Sequence, residues 1–368
     1  MVYIGLDVHQ KSTTICIQDQ SGKELLLAKC ETTLDGFRES LGPWLEKHPG
    51  SPAALESCGK AYLVSGMVEL LGGRPRVFAA EEAAAKARSR RQKTDGRDAQ
   101  DLCANLRTGA LRREVALPPA AMRQLRAALN ARQMYVKQRT MAIQAAKALL
   151  REYGAARAQE SLETDKGWRA ALEQNLPWAV RRLLQKHHES WEGAGKTVRE
   201  LTELAVTLGE CAPAFDVAAT VPGIGVIVRL ALAAHLFDVG RFASGKALAA
   251  YTGLIPSMHD SGERERHGGI TKEGPRLLRS LLVEAAQHAA RSTSPLNPFY
   301  RRWVVKKGHK KAVVAVAHKL CRIVHALVKE GRDFDPARLG VERVEDEKGS
   351  FKGYRRAAVV QTAVLAQV

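Results

Sequence analysis

The fold of the amino-terminal part is decided by residues 2–32, VYIGLDVHQKSTTICIQDQSGKELLLAKCET. Apolar and β-branched runs predict three strands here, and QDQSGKE between the last two predicts a hairpin turn. Outward from this segment, the pattern predicts a helix from Leu34 to Lys47, a strand at SPAALES, a second helix and a fifth strand at RPRVFAA. A meander followed by alternating helix and strand predicts an α/β layered domain over residues 1–115.

Composition indicates the class of partner. The chain has 368 residues, a net charge of +18 and a pI near 9.8, which indicate a polyanion. The sequence shows no basic amphipathic anchor, lipidation motif, membrane-spanning run or signal peptide. Six scattered cysteines without a CxxC pair indicate reduced thiols in a cytoplasm and no zinc site. We therefore expect a cytoplasmic protein that binds nucleic acid mainly through phosphates.

The segment KTDGRDAQDL, residues 93–102, places two carboxylates three residues apart after a basic run. In one interpretation Asp95 caps a helix and Asp98 faces the positive end of the helix dipole. In the other, the two carboxylates share one helix face and bind Mg²⁺, which prefers oxygen ligands. The segment taken alone favours the cap.

Two further acids lie at predicted strand ends. Asp7 closes the first strand and Glu56 closes the fourth, and each alone is explained by a turn cap or a surface strand end. Strand ends and a helix can nevertheless converge at one edge of a sheet. Four acids in a nucleic-acid site need cations between them and the phosphates, and two Mg²⁺ ions about 3.5–4 Å apart can serve a nucleophile and a leaving oxygen.

Residues 116–212 are predicted to be helical throughout. Apolar residues recur every seven positions, as in a coiled coil: Met122, Leu129, Val136, Ile143 and Leu150. The other seam position is mixed: Leu125, Arg132, Arg139 and Ala146. Two interpretations stay open. One is a bundle helix whose arginines reach the solvent, and the other is a coil that assembles protomers and touches nucleic acid.

Residues 213–335 carry the second group of motifs. TVPGIGVIVRLALAAHL suggests the turn of a helix-hairpin-helix, in which backbone N–H groups near Gly223 and Gly225 bind phosphate. Ser261 precedes a glycine in a predicted basic loop, where a serine in a turn is the simplest interpretation. The predicted nucleic-acid contacts are Arg132, Arg139, Gly223, Gly225, Arg264, Arg266, Lys272, Arg276, Arg279, Lys310 and Lys311. Residues 336–368 form a tail without a predicted role.

The motifs IGLDVHQKS, LES and KTDGRDA resemble those of the transposases of the insertion sequence 110 family. The resemblance extends to about residue 335. It implies a ribonuclease H-like domain related to the RuvC Holliday junction resolvases. It also implies that the family's metal-binding quartet is formed by Asp7, Glu56, Asp95 and Asp98, with Mg²⁺ as the cofactor.

The carboxyl-terminal motifs VPGIG, FASGKALAAYTGLIPS, HDSGERERHGGITKEG and LLRSLL are similar to the second domain of the same family. This similarity implies that Ser261 is the nucleophile that links the protein to cleaved DNA, with Ser244 as the rival serine. It further implies donor and target DNA, a structured non-coding guide RNA, and a homo-oligomer, either a dimer or a tetramer. The location it implies is the cytoplasm of a bacterium or archaeon, in association with the nucleoid. The tail departs from the family pattern.

Three functions other than recombination each account for part of the sequence. A sugar kinase or actin-like ATPase also begins with a strand, an aspartate and a turn, but its second phosphate loop has no better match than FDVG at 237–240. A non-enzymatic RNA-binding protein accounts for the charge and leaves the four acids unexplained. A junction-type metal-dependent nuclease without a covalent intermediate accounts for the acids and leaves Ser261 unexplained.

Overall fold

The computed structural model describes residues 1–79, 94–155, 161–261, 264–345 and 350–356, with the main chain alone at 258–261 and 264–267. The chain divides into two compact units, Met1–Leu117 and Pro118–Val368, called here the amino-terminal and carboxyl-terminal units. The further division predicted at residue 212 stays a prediction. Within the described part of the chain, no helix is long and apolar enough to cross a bilayer.

The amino-terminal unit is built on a five-stranded mixed sheet of order β3-β2-β1-β4-β5. Its strands are β1 (Tyr3–Val8), β2 (Ser12–Gln18), β3 (Glu24–Glu31), β4 (Pro52–Glu56) and β5 (Arg74–Phe78). The first three strands pair antiparallel, β4 runs parallel to β1, and β5 runs parallel to β4. The predicted meander and the mixed α/β class are confirmed.

Three described helices cover the two faces of this sheet: α1 (Leu34–Lys47), α2 (Ala61–Leu70) and α3 (Asp95–Arg107). Because side chains alternate along a strand, one face of β1 and β2 presents an apolar set and the other presents small or polar residues. The apolar set packs into one core with α1 and α2 and consists of Ile4, Leu6, Ile15 and Ile17. The opposite face is covered by α3.

Helix α3 approaches β1 so closely that only glycine fits at residue 5. A Cβ atom on Gly5 would lie 2.1 Å from the carbonyl oxygen of Ala99 and 2.5 Å from the amide nitrogen of Cys103. The thiol of Cys103 also donates to the carbonyl oxygen of Tyr3, at 3.1 Å. This contact fixes the start of α3 beside the carboxyl end of β1.

The carboxyl-terminal unit is mainly helical. Its helices are α4 (Ala120–Glu152), α5 (Asp165–Leu172), α6 (Trp178–Gly209), α7 (Val226–Leu236), α8 (Gly245–Tyr251), α9 (Arg276–Ala289), α10 (Asn297–Lys307) and α11 (His309–Glu330). In the described part of this unit, the 3₁₀ helix Pro213–Thr220 lies between α6 and α7, and the 3₁₀ helix Pro336–Leu339 lies between α11 and the strand that begins at Val341. Two hairpins complete the unit: β6 (Pro256–Ser261) with β7 (Arg264–Ile270), and β8 (Val341–Glu345) with β9 (Phe351–Arg356).

The predicted coiled-coil seam lies on α4, which packs along α6 of the same chain. Its two ends enter separate cores: Met122 and Leu129 join the core of the carboxyl-terminal helices, and Leu150 joins a core around Trp168. Between these ends, Val136 and Ile143 are only half buried. The helix therefore serves as a bundle helix within the chain, while the oligomeric coiled coil stays a prediction.

The VPGIG turn follows a 3₁₀ helix, Pro213–Thr220, and precedes α7. Gly223 has a φ of +92°, and a Cβ atom there would lie 2.3 Å from the carbonyl oxygen of Ala285. Gly225 is the N-cap residue of α7, and a Cβ atom there would meet nothing within 4 Å. The first glycine is thus required by packing and backbone conformation, and the helix-hairpin-helix assignment stays a prediction.

The segment predicted to be a basic loop is instead an antiparallel hairpin, so that prediction is wrong. Strands β6 and β7 pair from Pro256 opposite Ile270 to Ser261 opposite Arg264. Ser261 is therefore the last residue of a strand, and helix α9 follows Pro275 as predicted.

A buried histidine, His235, lies in the last turn of α7. Burial, together with the smaller effects of the cationic side chains of Arg126 and Arg241, lowers the pKa of His235 to about 4. Both guanidinium groups donate to the main-chain carbonyl of His235, and that of Arg126 also reaches the carbonyl of Ala234 at 2.8 Å. His235 is thus neutral at neutral pH, and Arg126 ties the end of α7 to α4.

Candidate metal centre

Asp7 lies near the carboxyl end of β1, with 17% of its side chain exposed. His9, in the turn that follows, brings its Nε2 atom to 2.9 Å from the Asp7 Oδ2 atom. The amide of His9 donates to the carbonyl oxygen of Ser12, at 2.9 Å, which closes the turn into β2. The hairpin therefore holds an imidazole directly against the first predicted acid.

Thr94, and not Asp95, caps helix α3. Its hydroxyl accepts a hydrogen bond from the amide of Arg97, at 3.4 Å, with the extended backbone of an N-cap residue. The favoured cap interpretation of Asp95 is therefore wrong, because the threonine one residue earlier takes that position. The carboxylates of Asp95 and Asp98 lie in the first turn, where the helix dipole favours negative charge.

The carboxylate of Asp95 lies close to two basic side chains, those of His9 and Lys29. Its Oδ1 atom lies 3.5 Å from the Nε2 atom of His9, and its Oδ2 atom lies 3.1 Å from the Nζ atom of Lys29. One ligand atom each from Asp7, His9 and Asp95 lie within 4.8 Å of one another. The structure thus brings together two predicted acids and a histidine at a spacing that one metal ion can bridge.

Glu56 and Asp98, the other two predicted acids, are not in this close group, and their positions follow from strand register and helix spacing. Glu56 ends β4, one residue beyond the parallel pair Leu6 and Leu55, so alternation places it on the same sheet face as Asp7. Asp98 is one helical turn beyond Asp95, and its charge acts on Asp7. Glu56 and Asp98 each also interact with other groups of the protein.

Burial is the main influence on the pKa of the Asp7 carboxyl group, and neighbouring charges act on it as well. Burial raises the pKa of Asp7, the charges of Asp98 and Asp95 raise it further, and contact with His9 opposes the rise. By contrast, the hydrogen bond from Lys29 lowers the pKa of Asp95. Burial and the two neighbouring carboxylates thus disfavour the charged form of Asp7, and a bound cation would favour it.

The donor set fits a divalent metal ion. Carboxylate oxygens suit Mg²⁺, Ca²⁺ and Mn²⁺, and an imidazole adds a nitrogen that Mn²⁺ accepts more readily than Mg²⁺. His9 was missed from the sequence, although it follows Asp7 by two residues within the same turn. Its proximity to Asp95 depends on the close approach of α3 to β1.

The two candidate serines have different environments in the carboxyl-terminal unit. Ser244 caps α8, where its Oγ atom accepts from the amide of Ala247 at 3.3 Å. Ser261 ends β6 beside the hairpin turn. A hydroxyl that caps a helix is already committed to a structural bond, whereas the turn of a hairpin commonly carries functional residues.

The arginines of the predicted seam contact protein groups. The Nε atom of Arg132 donates to the Thr202 Oγ1 atom on α6, at 2.8 Å. The Arg139 guanidinium lies over the Trp191 ring, 4.7 Å from its centroid. Both side chains thus join α4 to elements packed against it, and a contact with nucleic acid stays a prediction.

The other predicted nucleic-acid contacts lie around β7, α9 and α11. Arg264 and Arg266 lie on β7, and Arg279 on α9 donates to the carbonyl oxygens of Glu273 and Thr252, at 2.7 and 3.3 Å. Arg279 therefore holds the loop before α9. Among the members of this group whose side chains the structure describes, the exposed ones are Lys272, Arg276, Lys310 and Lys311.

Two models of transposase families match this chain, one in its amino-terminal part and one in its carboxyl-terminal part. Residues 4–155 match the model of the IS110-type DEDD domain, described as "Transposase". Residues 216–301 match the model described as "Transposase IS116/IS110/IS902 family". These matches define the protein as a DNA transposase.

The chain belongs to the IS116/IS110/IS902 family of transposases. It is similar to the transposase for insertion sequence element IS1328 of Yersinia enterocolitica, with 27% identity over 90% of this chain and 98% of the relative. The transposase for IS1111A of Coxiella burnetii is 29% identical over 64% of this chain and 66% of its own length. A pilin gene-inverting protein of Moraxella bovis is 34% identical over 32% of this chain and 37% of its own.

Proposed function

We propose that Asp7, Glu56, Asp95 and Asp98 hold Mg²⁺ and that this centre cleaves DNA strands during transposition. The observation that carries the proposal is the convergence of Asp7, His9 and Asp95 within 4.8 Å. Mg²⁺ bound there would neutralise the phosphate and stabilise charge on the attacking and leaving oxygens. The chain's own part is to hold the carboxylates in place and to orient Asp7 through His9.

Two further observations support a ribonuclease H-like fold for the amino-terminal unit. The sheet has a three-stranded meander followed by two parallel strands, and the acids lie at the carboxyl ends of β1 and β4 and at the start of α3. The DEDD family model covers the same residues. The quartet order Asp7, Glu56, Asp95, Asp98 agrees with that name.

The test of this proposal is Asp98→Asn, which removes one ligand charge and keeps the shape of the side chain. We expect loss of DNA strand cleavage in Mg²⁺, with nucleic-acid binding unchanged because the basic surfaces remain. Asp35→Asn is the matched control, since Asp35 is exposed on α1 and pairs with Arg38. Native cleavage by Asp98→Asn would overturn the proposal.

We propose that Ser261 is the nucleophile. Its Oγ atom would attack the phosphorus, an Oγ–P bond would form as a P–O bond of the strand breaks, and the leaving oxygen would take up a proton. The covalent link conserves the phosphodiester energy, so strands can be rejoined without a high-energy cofactor. Two points support the serine: its place beside a hairpin turn, and the capping bond that occupies Ser244.

A DNA substrate that traps the covalent intermediate tests the serine. An adduct with the native protein should map to Ser261 and vanish in Ser261→Ala, while Ser244→Ala keeps it. If the adduct persists in Ser261→Ala and is lost in Ser244→Ala, the nucleophile is Ser244 and the proposal is wrong. Cleavage without any adduct would favour the alternative, a junction-type nuclease in which the acidic centre activates water.

We propose that a structured non-coding guide RNA directs the protein to donor and target DNA. The supporting features are the charge of +18 and the absence of a base-reading motif in the sequence, which agree with recognition delegated to base pairing. Sequencing of RNA that co-purifies with the protein tests this proposal. One structured species would support it, and RNA no different from bulk cellular RNA would contradict it.

We propose that α4 also contributes to a homo-oligomer, a dimer or a tetramer. Met134 and Met141 support this, because they lie seven residues apart on α4 and are 56% and 70% exposed. Light scattering on the free and RNA-bound protein should give more than one protomer. Met141→Lys should shift the mass toward the monomer, and a strict monomer in every state would contradict the proposal.

A further inference from the structure

Three side chains form a row across the sheet next to the acidic group. Asp7 on β1 is the register partner of Thr14 on β2, and Thr14 is the register partner of Lys29 on β3. Residues directly opposite each other in antiparallel strands point to the same face. The row therefore runs from the first acid to an ammonium group along the sheet face that α3 covers.

A shallow cavity of about 610 Å³ opens beside Thr14 and Lys29, two residues of this row. Its lining includes Thr14, Lys29, Thr94, Asp95 and Gly96, so it joins the sheet to the first turn of α3. Thr14 is only 5% exposed, and its Oγ1 atom has no hydrogen-bond partner among the residues described. A buried hydroxyl without a partner costs free energy unless a ligand or water completes it.

The proposed metal centre does not explain why Lys29 lies against one of its acids. Its Nζ atom lies 3.1 Å from the Asp95 Oδ2 atom, although 57% of its side chain is exposed. A divalent ion bound to Asp95 would repel this ammonium and weaken its hold on the carboxylate. A lysine has three donors on a flexible stem, so the released group can bind an anion in the cavity.

We propose that Lys29 is a phosphate-binding residue that pairs with Asp95 without metal and moves to a DNA phosphodiester when the metal binds. The cavity over Thr14 would take that phosphodiester, and the Thr14 hydroxyl would donate to one of its oxygens. Lys29 thereby keeps the acidic group partly neutralised until metal and DNA arrive together. This inference rests on the proposed metal centre.

Calorimetric titration of the DNA-free full-length protein with Mn²⁺ gives the first test. Lys29→Met should bind Mn²⁺ about two- to fivefold more tightly, the factor expected from removing a competing exposed ion pair. Lys29→Arg should stay near the native affinity. Lys47→Met, at the exposed end of α1, is the matched control and should not change it.

DNA binding gives the second test. Lys29→Met, which should strengthen Mn²⁺ binding, should weaken DNA binding. In Ca²⁺, which shares the charge and oxygen preference of Mg²⁺, Lys29→Met should bind a duplex more weakly and lower the salt slope by about 1. In chelator the slopes of Lys29→Met and native protein should agree, because Lys29 then stays on Asp95. Thr14→Val should weaken DNA binding while it leaves Mn²⁺ affinity unchanged.

The outcomes separate this inference from the metal proposal. Absence of Mn²⁺ binding by the native protein overturns both. Native Mn²⁺ binding with no change in affinity or salt slope in Lys29→Met overturns the role of Lys29 alone. Weaker Mn²⁺ binding in Lys29→Met would also overturn it, since the lysine would then support the metal site and not compete for it.

Discussion

Gly5→Ala is the substitution that most directly tests how the fold builds the site. The new Cβ atom would lie 2.1 Å from the Ala99 carbonyl oxygen and 2.5 Å from the Cys103 amide nitrogen, both backbone atoms of α3. Contacts below 3.0 Å essentially do not occur, so α3 must withdraw by about 1 Å. We expect this overpacking to destabilise the amino-terminal unit by about 1–3 kcal/mol.

The same movement should damage the metal centre. Helix α3 carries Asp95 and Asp98, whereas Asp7 stays on β1. Functional groups must be held within about 0.5 Å of their working geometry, so a shift of about 1 Å should weaken Mn²⁺ binding by about 10- to 100-fold. DNA strand cleavage should fall with it.

Two measurements check this prediction in the full-length protein: amide hydrogen exchange of β1 peptides in urea, and calorimetric titration with Mn²⁺. Gly66→Ala is the control, because a Cβ atom at this exposed position of α2 meets nothing within 4 Å. It should raise local stability by up to about 1 kcal/mol and leave Mn²⁺ binding unchanged. Native stability and native Mn²⁺ affinity in Gly5→Ala would refute the reasoning.

Three further predictions concern local features. Thr94→Ala removes the cap of α3 and should cost about 1 kcal/mol, seen as faster hydrogen exchange in its first turn. Gly223→Ala should lower the unfolding temperature of the carboxyl-terminal unit more than Gly225→Ala, because only Gly223 has a positive φ and a backbone atom in the way. Because the pKa of His235 is lower in the folded protein than in the unfolded chain, the neutral imidazole stabilises the fold, and this stabilisation is fully present above pH 6.5. That contribution is lost as the pH falls toward about 4, by about 3 kcal/mol in total, so urea unfolding of His235→Asn should vary less between these pH values than that of the native protein.

The parts of the fold that depend on local pattern could be predicted from the sequence. The meander follows from β-branched runs around a polar turn, and helix α1 covers Leu34–Lys47 as predicted. The hairpin at residues 256–270 was predicted as a loop, because its polar and glycine-rich strands lack an apolar alternation. Thr94 and Asp95 are both good cap residues, and only the backbone geometry decides that Thr94 takes the position.

The geometry of the site depends on contacts between distant segments. The position of α3 follows from the absence of a side chain at Gly5, which no local pattern reveals. The meeting of His9 and Lys29 with Asp95 follows in turn from that approach. The order of the four acids could therefore be found in the sequence, while the basic groups that surround them required the structure.

The central claim is that the quartet forms one divalent-cation site, and iron-directed cleavage of the chain tests it most directly. Fe²⁺ with ascorbate and peroxide generates hydroxyl radicals that cut main chain next to the bound ion. We predict cuts near Asp7, Glu56 and the first turn of α3, suppressed by excess Mg²⁺ and absent in Asp98→Asn. Cuts confined to other segments, or cuts at these positions that persist in Asp98→Asn and in excess Mg²⁺, would contradict the claim.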